Sequence, residues 1–401
     1  MNQLFETGKT IIYTLKNAGF EAYFVGGAVR DHVMSGSIHD VDITTNAKPE
    51  TVEELFPHTI DVGKEHGTVI VLIDHVPFEV TTYRTETDYT DHRRPDKVMF
   101  TSHLNEDLQR RDFTMNAMAM TEHYALHDPY NGQDSIRNKI IHTVGSAGER
   151  FNEDALRMLR AVRFMSTLKF KLADSVIDAI GKNSETISYV AVERIVVEMR
   201  KMYAGEDIKH AKQVLSDTKL IQYIPFFKDC HPNLLMTDVN HLVDELFLQV
   251  YFESSLAASL NALKLPNSDK TDVSNMLKLA DDLKNNIHPL KIAFKNNFNT
   301  LKRLQYINNN NDILDASAAQ SLSVAVSSHP ALPIQNRQDL EVNGSTLMTV
   351  FNTRGGPWIK SLLSRLEDEV LFNRLQNNQD EILEWVKRHV IVEDGHIKII
   401  E

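Results

Sequence analysis

The apolar pattern of this 401-residue chain changes period once, near Ile141, and that change divides what the chain can fold into. Before it, short β-branched and aromatic runs at 21–25, 69–73 and 76–83 read as strands. They follow a helical stretch whose apolar residues Leu4, Phe5, Ile11, Ile12 and Leu15 stop at Gly19, a residue suited to a left-handed cap. Beyond Ile141 strand signals largely vanish, and amphipathic helical spacing dominates through 151–168, 190–202, 242–263 and 358–389. The expected fold is an α/β N-terminal unit over residues 1–141 followed by an all-α remainder. The length exceeds one ordinary core, so two or more packed units are expected. The runs Asn308-Asn309-Asn310-Asn311 and 327–333 read as loops between helices, and no tandem repeat is visible.

Several classes of protein are disfavoured. Met1 is followed by neither a basic segment nor an apolar one, so no secretory signal is readable, and no apolar run is long enough to span a bilayer. The single cysteine, Cys230, has no partner for an internal disulfide and no Cys/His set at metal spacing, which fits a cytoplasmic location and a packed apolar role. A net charge of −12 argues against coating nucleic acid indiscriminately, because phosphate binding needs concentrated cations. Lys284, Lys291, Lys295, Lys302 and Arg303 form a local run with no acidic residue among them, although a solvated helix face shows the same pattern.

Asp40 and Asp42 are two apart in a segment that reads as a strand, so both carboxylates point to one face. Such a pair suits Mg²⁺, which takes oxygen ligands and shares them with substrate phosphates during phosphoryl transfer. A bare Asp-x-Asp is common on surface strands; the preceding Gly26-Gly27-Ala28-Val29-Arg30-Asp31 lifts it. There a glycine turn between strand and helix lets backbone N–H groups, Gly27 among them, approach a triphosphate while Arg30 adds charge. It is not a dinucleotide fingerprint. Glu79, in an alternating strand expected to pair nearby, is the candidate third carboxylate, and an ordinary surface strand glutamate is the competing reading.

Two further segments combine cations with short polar groups. In Arg110-Arg111-Asp112-Phe113-Thr114-Met115-Asn116-Ala117, Arg111 suits a bidentate phosphate clamp, and Asp112 with Asn116, four apart on a helix, suits hydrogen bonds to a ribose. In the helix at 153–164, Asp154, Arg157, Arg160 and Arg163 fall on one drifting ridge, with Leu156, Leu159, Val162 and Phe164 opposite. Cytosine and adenine each present an exocyclic amine beside a ring-nitrogen acceptor. Asp154 can accept from the amine while Arg157 donates to the ring nitrogen, a pairing that uracil and guanine cannot satisfy. Arg160 and Arg163 would then face the phosphates. Salt-bridged helices of no special function show similar spacing.

Taken together these segments resemble the class II tRNA nucleotidyltransferases, the bacterial CCA-adding enzymes, along essentially the whole chain. The glycine turn with Asp40-Val41-Asp42 is similar to the family's metal motif, and 110–117 to its ribose motif. Asp128-Pro129-Tyr130-Asn131-Gly132 resembles its hinge, Glu153-Asp154-Ala155-Leu156-Arg157 its protein template, and Val192-Glu193-Arg194-Ile195 the motif that steadies the template. The resemblance implies a polymerase-β-like nucleotidyltransferase head at 1–141, a nucleobase-recognising neck at 142–203, a helical body at 204–280 and a tRNA-binding tail at 281–401, arranged as an elongated molecule. It implies Mg²⁺ as cofactor, CTP and ATP as substrates, and tRNA, held by its acceptor end and elbow, as partner; a homodimer is compatible with it. Leu340-Glu341-Val342-Asn343-Gly344 with Gly355-Gly356-Pro357-Trp358-Ile359 resembles the short tail, and no His-Asp hydrolase motif follows the head. The polar stretch Tyr83–Pro95 resembles the lever with which complete enzymes switch from C to A, and which CC-adding relatives lack. A poly(A) polymerase, a CC-adding enzyme and a non-catalytic RNA-binding protein remain open alternatives.

Overall fold

The computed structural model describes residues 3–87, 97–231, 237–393 and 396–399. The chain forms two compact units, one comprising 1–236, 240–242 and 255–265, the other 237–239, 243–254 and 266–401.

In the first unit, helix α1 (Gln3–Asn17) buries Phe5, Ile11, Ile12 and Leu15. Gly19 ends it with φ at 89°, its N–H reaching the Lys16 carbonyl at 2.9 Å while Phe20 N–H reaches Leu15 at 3.0 Å. Strand β1 (Ala22–Val25), helix α2 (Gly27–Val33), strand β2 (Asp42–Thr45) and helix α3 (Pro49–Leu55) follow. Next come β3 (Thr59–Gly63), β4 (Thr68–Ile73), β5 (Val76–Thr82), β6 (Arg84–Thr87), β7 (Lys97–Phe100), helix α4 (Leu104–Gln109), β8 (Ala119–Met120) and β9 (Leu126–His127). Seven strands form one sheet in the order β3-β4-β5-β2-β1-β8-β9.

Within that sheet β2 and β5 pair in parallel, and their register sets Asp42 opposite Glu79. The other neighbours are antiparallel, with Val25 opposite Asp42. Phe24, Val29, Ile43, Val71, Phe78 and Val80 join the apolar face of α1 in one core. Burying each such large side chain contributes about 1.5–3 kcal/mol, which holds the edges of β2 and β5 in fixed positions. Asp40 precedes β2 instead of lying on it, so the two aspartates sit at a strand entry and not along a strand. Of the stretch read as a lever, Arg84–Thr87 forms β6, paired antiparallel with β7, and residues 88–95 lie outside the described residues.

The chain continues through α5 (Gly132–Asn138), β10 (Ile140–Ile141), α6 (Ala147–Glu153), α7 (Leu156–Leu168), β11 (Lys171–Leu172), α8 (Asp174–Asn183), α9 (Val192–Tyr203) and α10 (Ile208–Asp217), with α7 packed on α9 and α10. The α/β head followed by helices is as the periodicity predicts, with β10 and β11 adding one short parallel ribbon. The helix expected across 153–164 is broken: α6 ends at Glu153 and α7 starts at Leu156, leaving Asp154 in the gap.

The second unit is built from α11 (Leu242–Phe252, whose first residue belongs to the other unit), α12 (Asn267–Lys284), α13 (Pro289–Lys295), α14 (Phe298–Asn311), α15 (Ala316–Ser328), α16 (Gly344–Phe351), α17 (Pro357–Leu371) and α18 (Gln379–His389). The stretch 358–389 is therefore two helices, and a hairpin of β12 (Val390–Glu393) and β13 (His396–Ile399) follows them. The cationic run at 284–303 is largely paired: Lys291 with Asp368 at 2.6 Å, Lys295 with Asp282 at 3.8 Å, and Arg303 with Asp244 and Asp272. Cys230 is buried, its thiol 3.6 Å from the Phe226 carbonyl, in the packed role expected of it.

Candidate active site

β1 delivers the chain into a turn that only glycine takes easily. Gly26 has φ 73° and ψ −142°, and a Cβ on it would stand 3.2 Å from Asp42 Oδ2 and 3.5 Å from Arg111 Nη1. The conformational demand therefore falls on Gly26, while Gly27 is the first residue of α2. Both line a cavity of about 640 Å³ within the first unit. The same cavity is lined by Arg30, Asp40, Asp42, Arg111, Asp112, Asn116, Asp154, Arg157, Arg160 and Arg163. Of the candidate catalytic and nucleotide-binding residues, only Glu79 is not part of its wall; it is exposed on β5, at the register position beside Asp42.

The carboxylates repel one another. Burial, then the nearby charges of Glu79 and Asp40, push the Asp42 carboxyl up to about 6, against the opposing pull of Arg111. A divalent cation relieves that repulsion, so this donor set fits one. Among the described residues no three His, Cys, Asp or Glu side chains converge as a ready-made ligand group.

The cations on the opposite wall are held by internal partners. Arg30 bonds Asp31 at 2.8 Å and, through Nη1, the Asn116 side-chain oxygen at 2.9 Å. Asn116 donates to Asp112 at 3.2 Å, and Asp112 in turn accepts from Arg160 at 2.8 and 2.5 Å. Burial raises the Asp112 carboxyl, but the Arg160 charge and hydrogen bond outweigh it and hold the group at about 2. Asp112 and Asn116 do not share a helix as expected. Asp112 sits in a turn and Asn116 closes a single 3₁₀ turn over 114–116. That turn is braced by Gly132, where a Cβ would overlap the Thr114 carbonyl oxygen.

Farther along α7, Arg163 pairs with Glu198 of α9 at 2.8 Å, and its burial lowers the guanidinium to about 10. Phe164 does not lie opposite the cations as its spacing suggested. Its ring sits among them, 3.7 Å from Arg163, 5.1 Å from Arg30 and 5.7 Å from Arg160, and it meets Phe113 edge-on. In the gap before α7, Asp154 accepts the Leu156 N–H at 3.0 Å and the Arg194 guanidinium at 3.0 Å. Arg157 donates to Glu153 at 2.7 Å and to the Arg110 carbonyl at 3.0 Å. Arg194 and Glu198, four apart on α9, thus hold Asp154 and Arg163 from one helix face.

Two acids that organise this wall escaped the reading of the sequence. Glu198 looks like any helix glutamate, and its only signal is its offset of four from Arg194. Asp107, fully buried in α4, accepts from Arg110 at 2.7 Å and from Arg111 at 3.3 Å. Its position three and four residues before two consecutive arginines was the available signal.

A parallel–antiparallel sheet presenting paired aspartates beside a glycine turn, followed by helices, defines a nucleotidyltransferase. The family model of the poly(A) polymerase head domain matches residues 22–142, that of a probable RNA and SrmB-binding site of polymerase A matches 169–230, and that of a putative second domain of tRNA nucleotidyltransferases matches 244–386. The CCA-adding enzyme of Staphylococcus epidermidis is 39% identical over 97% of this chain and 99% of its own length. That of Staphylococcus aureus is 40% identical over 96% and 98%. The crystal structure of the Bacillus stearothermophilus CCA-adding enzyme in complex with CTP is 34% identical and superposes with a TM-score of 0.80 over 97% of this chain and 98% of that one. The chain belongs to the family of bacterial CCA-adding enzymes, tRNA nucleotidyltransferases that work with a divalent metal. Among the described residues no helix is long and apolar enough to cross a membrane.

Proposed function

We propose that this chain adds C, C and then A to the 3′ end of tRNA without a nucleic-acid template, taking CTP and ATP and releasing pyrophosphate at each step, in the cytoplasm. The observation that carries the reading is that the acidic pair, the arginine wall and the Asp154–Arg157 corner face one cavity. A triphosphate, a ribose and a base edge can be engaged there at once. Bacterial relatives 39–40% identical over 96–97% of this chain carry the same named activity.

In this reading Asp40 and Asp42 hold Mg²⁺, with Glu79 adding negative charge from the neighbouring strand. Bound Mg²⁺ neutralises charge on the triphosphate and lowers the pKa of the attacking 3′-hydroxyl. Gly26, Gly27 and Arg30 line the phosphate end, and Arg111 clamps phosphate oxygens. Asn116, anchored by Asp112, faces the ribose. Asp154 and Arg157 read the amine and ring nitrogen shared by C and A, rotating off Arg194 and Glu153 to do so. Arg160 and Arg163 act chiefly by fixing the wall. The division into head 1–141, neck 142–203, body 204–280 and tail 281–401 is part of the same proposal, with the tail gripping tRNA.

The test is incubation of the full chain with tRNA lacking its 3′ end, CTP, ATP and Mg²⁺, followed by sequencing of the product ends. Ends reading CCA support the proposal. Ends stopping at CC, an A-tail, or no extension each overturn it, in favour of a CC-adding enzyme, a poly(A) polymerase or a non-catalytic RNA-binding protein respectively.

A further inference from the structure

Asp107 is a carboxylate with no access to solvent and an unusual set of partners. Oδ1 accepts from Arg110 through Nε at 3.0 Å and Nη2 at 2.7 Å, and from the backbone N–H of Arg84 at 3.4 Å. Oδ2 accepts from Arg111 Nη2 at 3.3 Å, and the Thr44 hydroxyl, which lies 3.1 Å from the Thr81 carbonyl, shares its proton with Oδ2 at 3.3 Å. Burial alone would raise this carboxyl, but the charges of Arg110 and Arg111 overcome it and hold it below the usual range, so the group is ionised. Thr44 lies two residues beyond Asp42 on β2 and so shares its strand face, and Arg84 is the first residue of β6. Three parts of the site therefore end on one side chain.

Arg111 stands between two acidic neighbours. Nη2 is on Asp107, and Nη1 lies against Gly26, where the charge of Arg111 is felt by Asp42. Without a counter-ion at Asp107, the strongest remaining attraction for that guanidinium is Asp42 itself. A salt bridge there would occupy the carboxylate that has to hold the cation and remove the clamp from the phosphates. We infer that Asp107 is a positioning residue that holds Arg111 away from Asp42 and fastens the base of the β6–β7 ribbon to the same anchor. The inference rests on the proposed role of Arg111 as a triphosphate ligand.

The test is a double-mutant cycle of Asp107→Asn and Arg111→Gln in the full chain, read first as equilibrium CTP binding with Mg²⁺ and no RNA present. Asp107→Asn is expected to weaken CTP binding about tenfold or more, the usual scale when a supporting partner of a ligand-holding group is removed. The double variant is expected to bind no worse than Arg111→Gln alone, because the two act as one unit. Independent effects that multiply in the double variant, or wild-type binding by Asp107→Asn, overturn the inference. If circular dichroism shows that Asp107→Asn is unfolded, the cycle is run with Asp107→Glu. That variant keeps the charge but displaces it, and is expected to bind CTP more weakly than wild type in an Arg111-dependent way; an effect independent of Arg111 overturns the inference. A wild-type chain that binds CTP but extends no tRNA refutes the proposed function while leaving the cycle readable in binding alone.

Discussion

Arg160 Nη2 lies 2.5 Å from Asp112 Oδ2, tying helix α7 to the turn that follows α4. Both residues read in the sequence as nucleotide ligands, and the fold directs them at each other. A carboxylate held below its unfolded value stabilises the fold at every pH above that value and surrenders the stabilisation as pH falls through the folded value. For Asp112 the window runs from 3.8 down to about 2, and its span corresponds to roughly 2 kcal/mol. Acid titration followed by circular dichroism should show wild type losing its advantage over Asp112→Asn within that window. An unchanged stability difference between the two from pH 5 to pH 2 would refute the coupling.

Gly26→Ala is expected to cost about 1–3 kcal/mol of stability, the usual range for strained backbone, and considerably more in activity. The added methyl would stand 3.2 Å from Asp42 Oδ2, so the carboxylate has to move. Thermal melts and single-nucleotide incorporation on the same preparation separate the two effects. Activity loss no greater than the fraction unfolded would mean that the glycine serves the backbone alone.

Asp42→Ala should abolish incorporation of both CMP and AMP while leaving tRNA binding largely intact. Filter binding and primer extension measure the two independently. Normal CMP addition by this variant would remove Asp42 from the metal site.

Base choice offers a graded test. Replacing Asp154 and Arg157 together should admit UMP or GMP, with selectivity falling on the order of a hundredfold or more as buried polar complementarity is lost. Arg194→Ala leaves Asp154 held by the Leu156 N–H alone, so its loss of selectivity should be smaller, though measurable in competition between CTP and UTP. Equal selectivity in wild type and the double variant would refute the corner as the base reader.

The division at Ile141 was legible because periods of 2 and 3.6 residues differ over many positions, and the glycine turn together with the other motifs made candidates of Asp42 and Arg111, which line one cavity. What stayed hidden depended on partners distant in sequence. Glu79 was expected on a strand close to the aspartates, but its register position opposite Asp42 follows from the parallel pairing of β2 and β5, which no local pattern shows. The break at Asp154 was invisible because Ala155 and Leu156 suit a helix as well as a helix start. Phe164 was assigned to the wrong face because the arginines curl around its ring instead of extending from a straight ridge. The C-terminal hairpin was missed because Val390-Ile391-Val392 follows α18 without a break signal.

The arginine wall also sets how the cavity exchanges ligands. Arg30, Arg110, Arg111, Arg157, Arg160, Arg163 and Arg194 each already face an internal carboxylate. An arriving polyanion therefore finds guanidiniums whose rotamers are fixed beforehand by these acids; ordering each such side chain on binding would cost about 0.5–1.5 kcal/mol. The same internal acids keep the wall in place when pyrophosphate leaves. A catalyst that must empty and refill one pocket on a single RNA is served by such standing counter-ions, and nucleotide entry should depend on ionic strength less than the number of arginines implies.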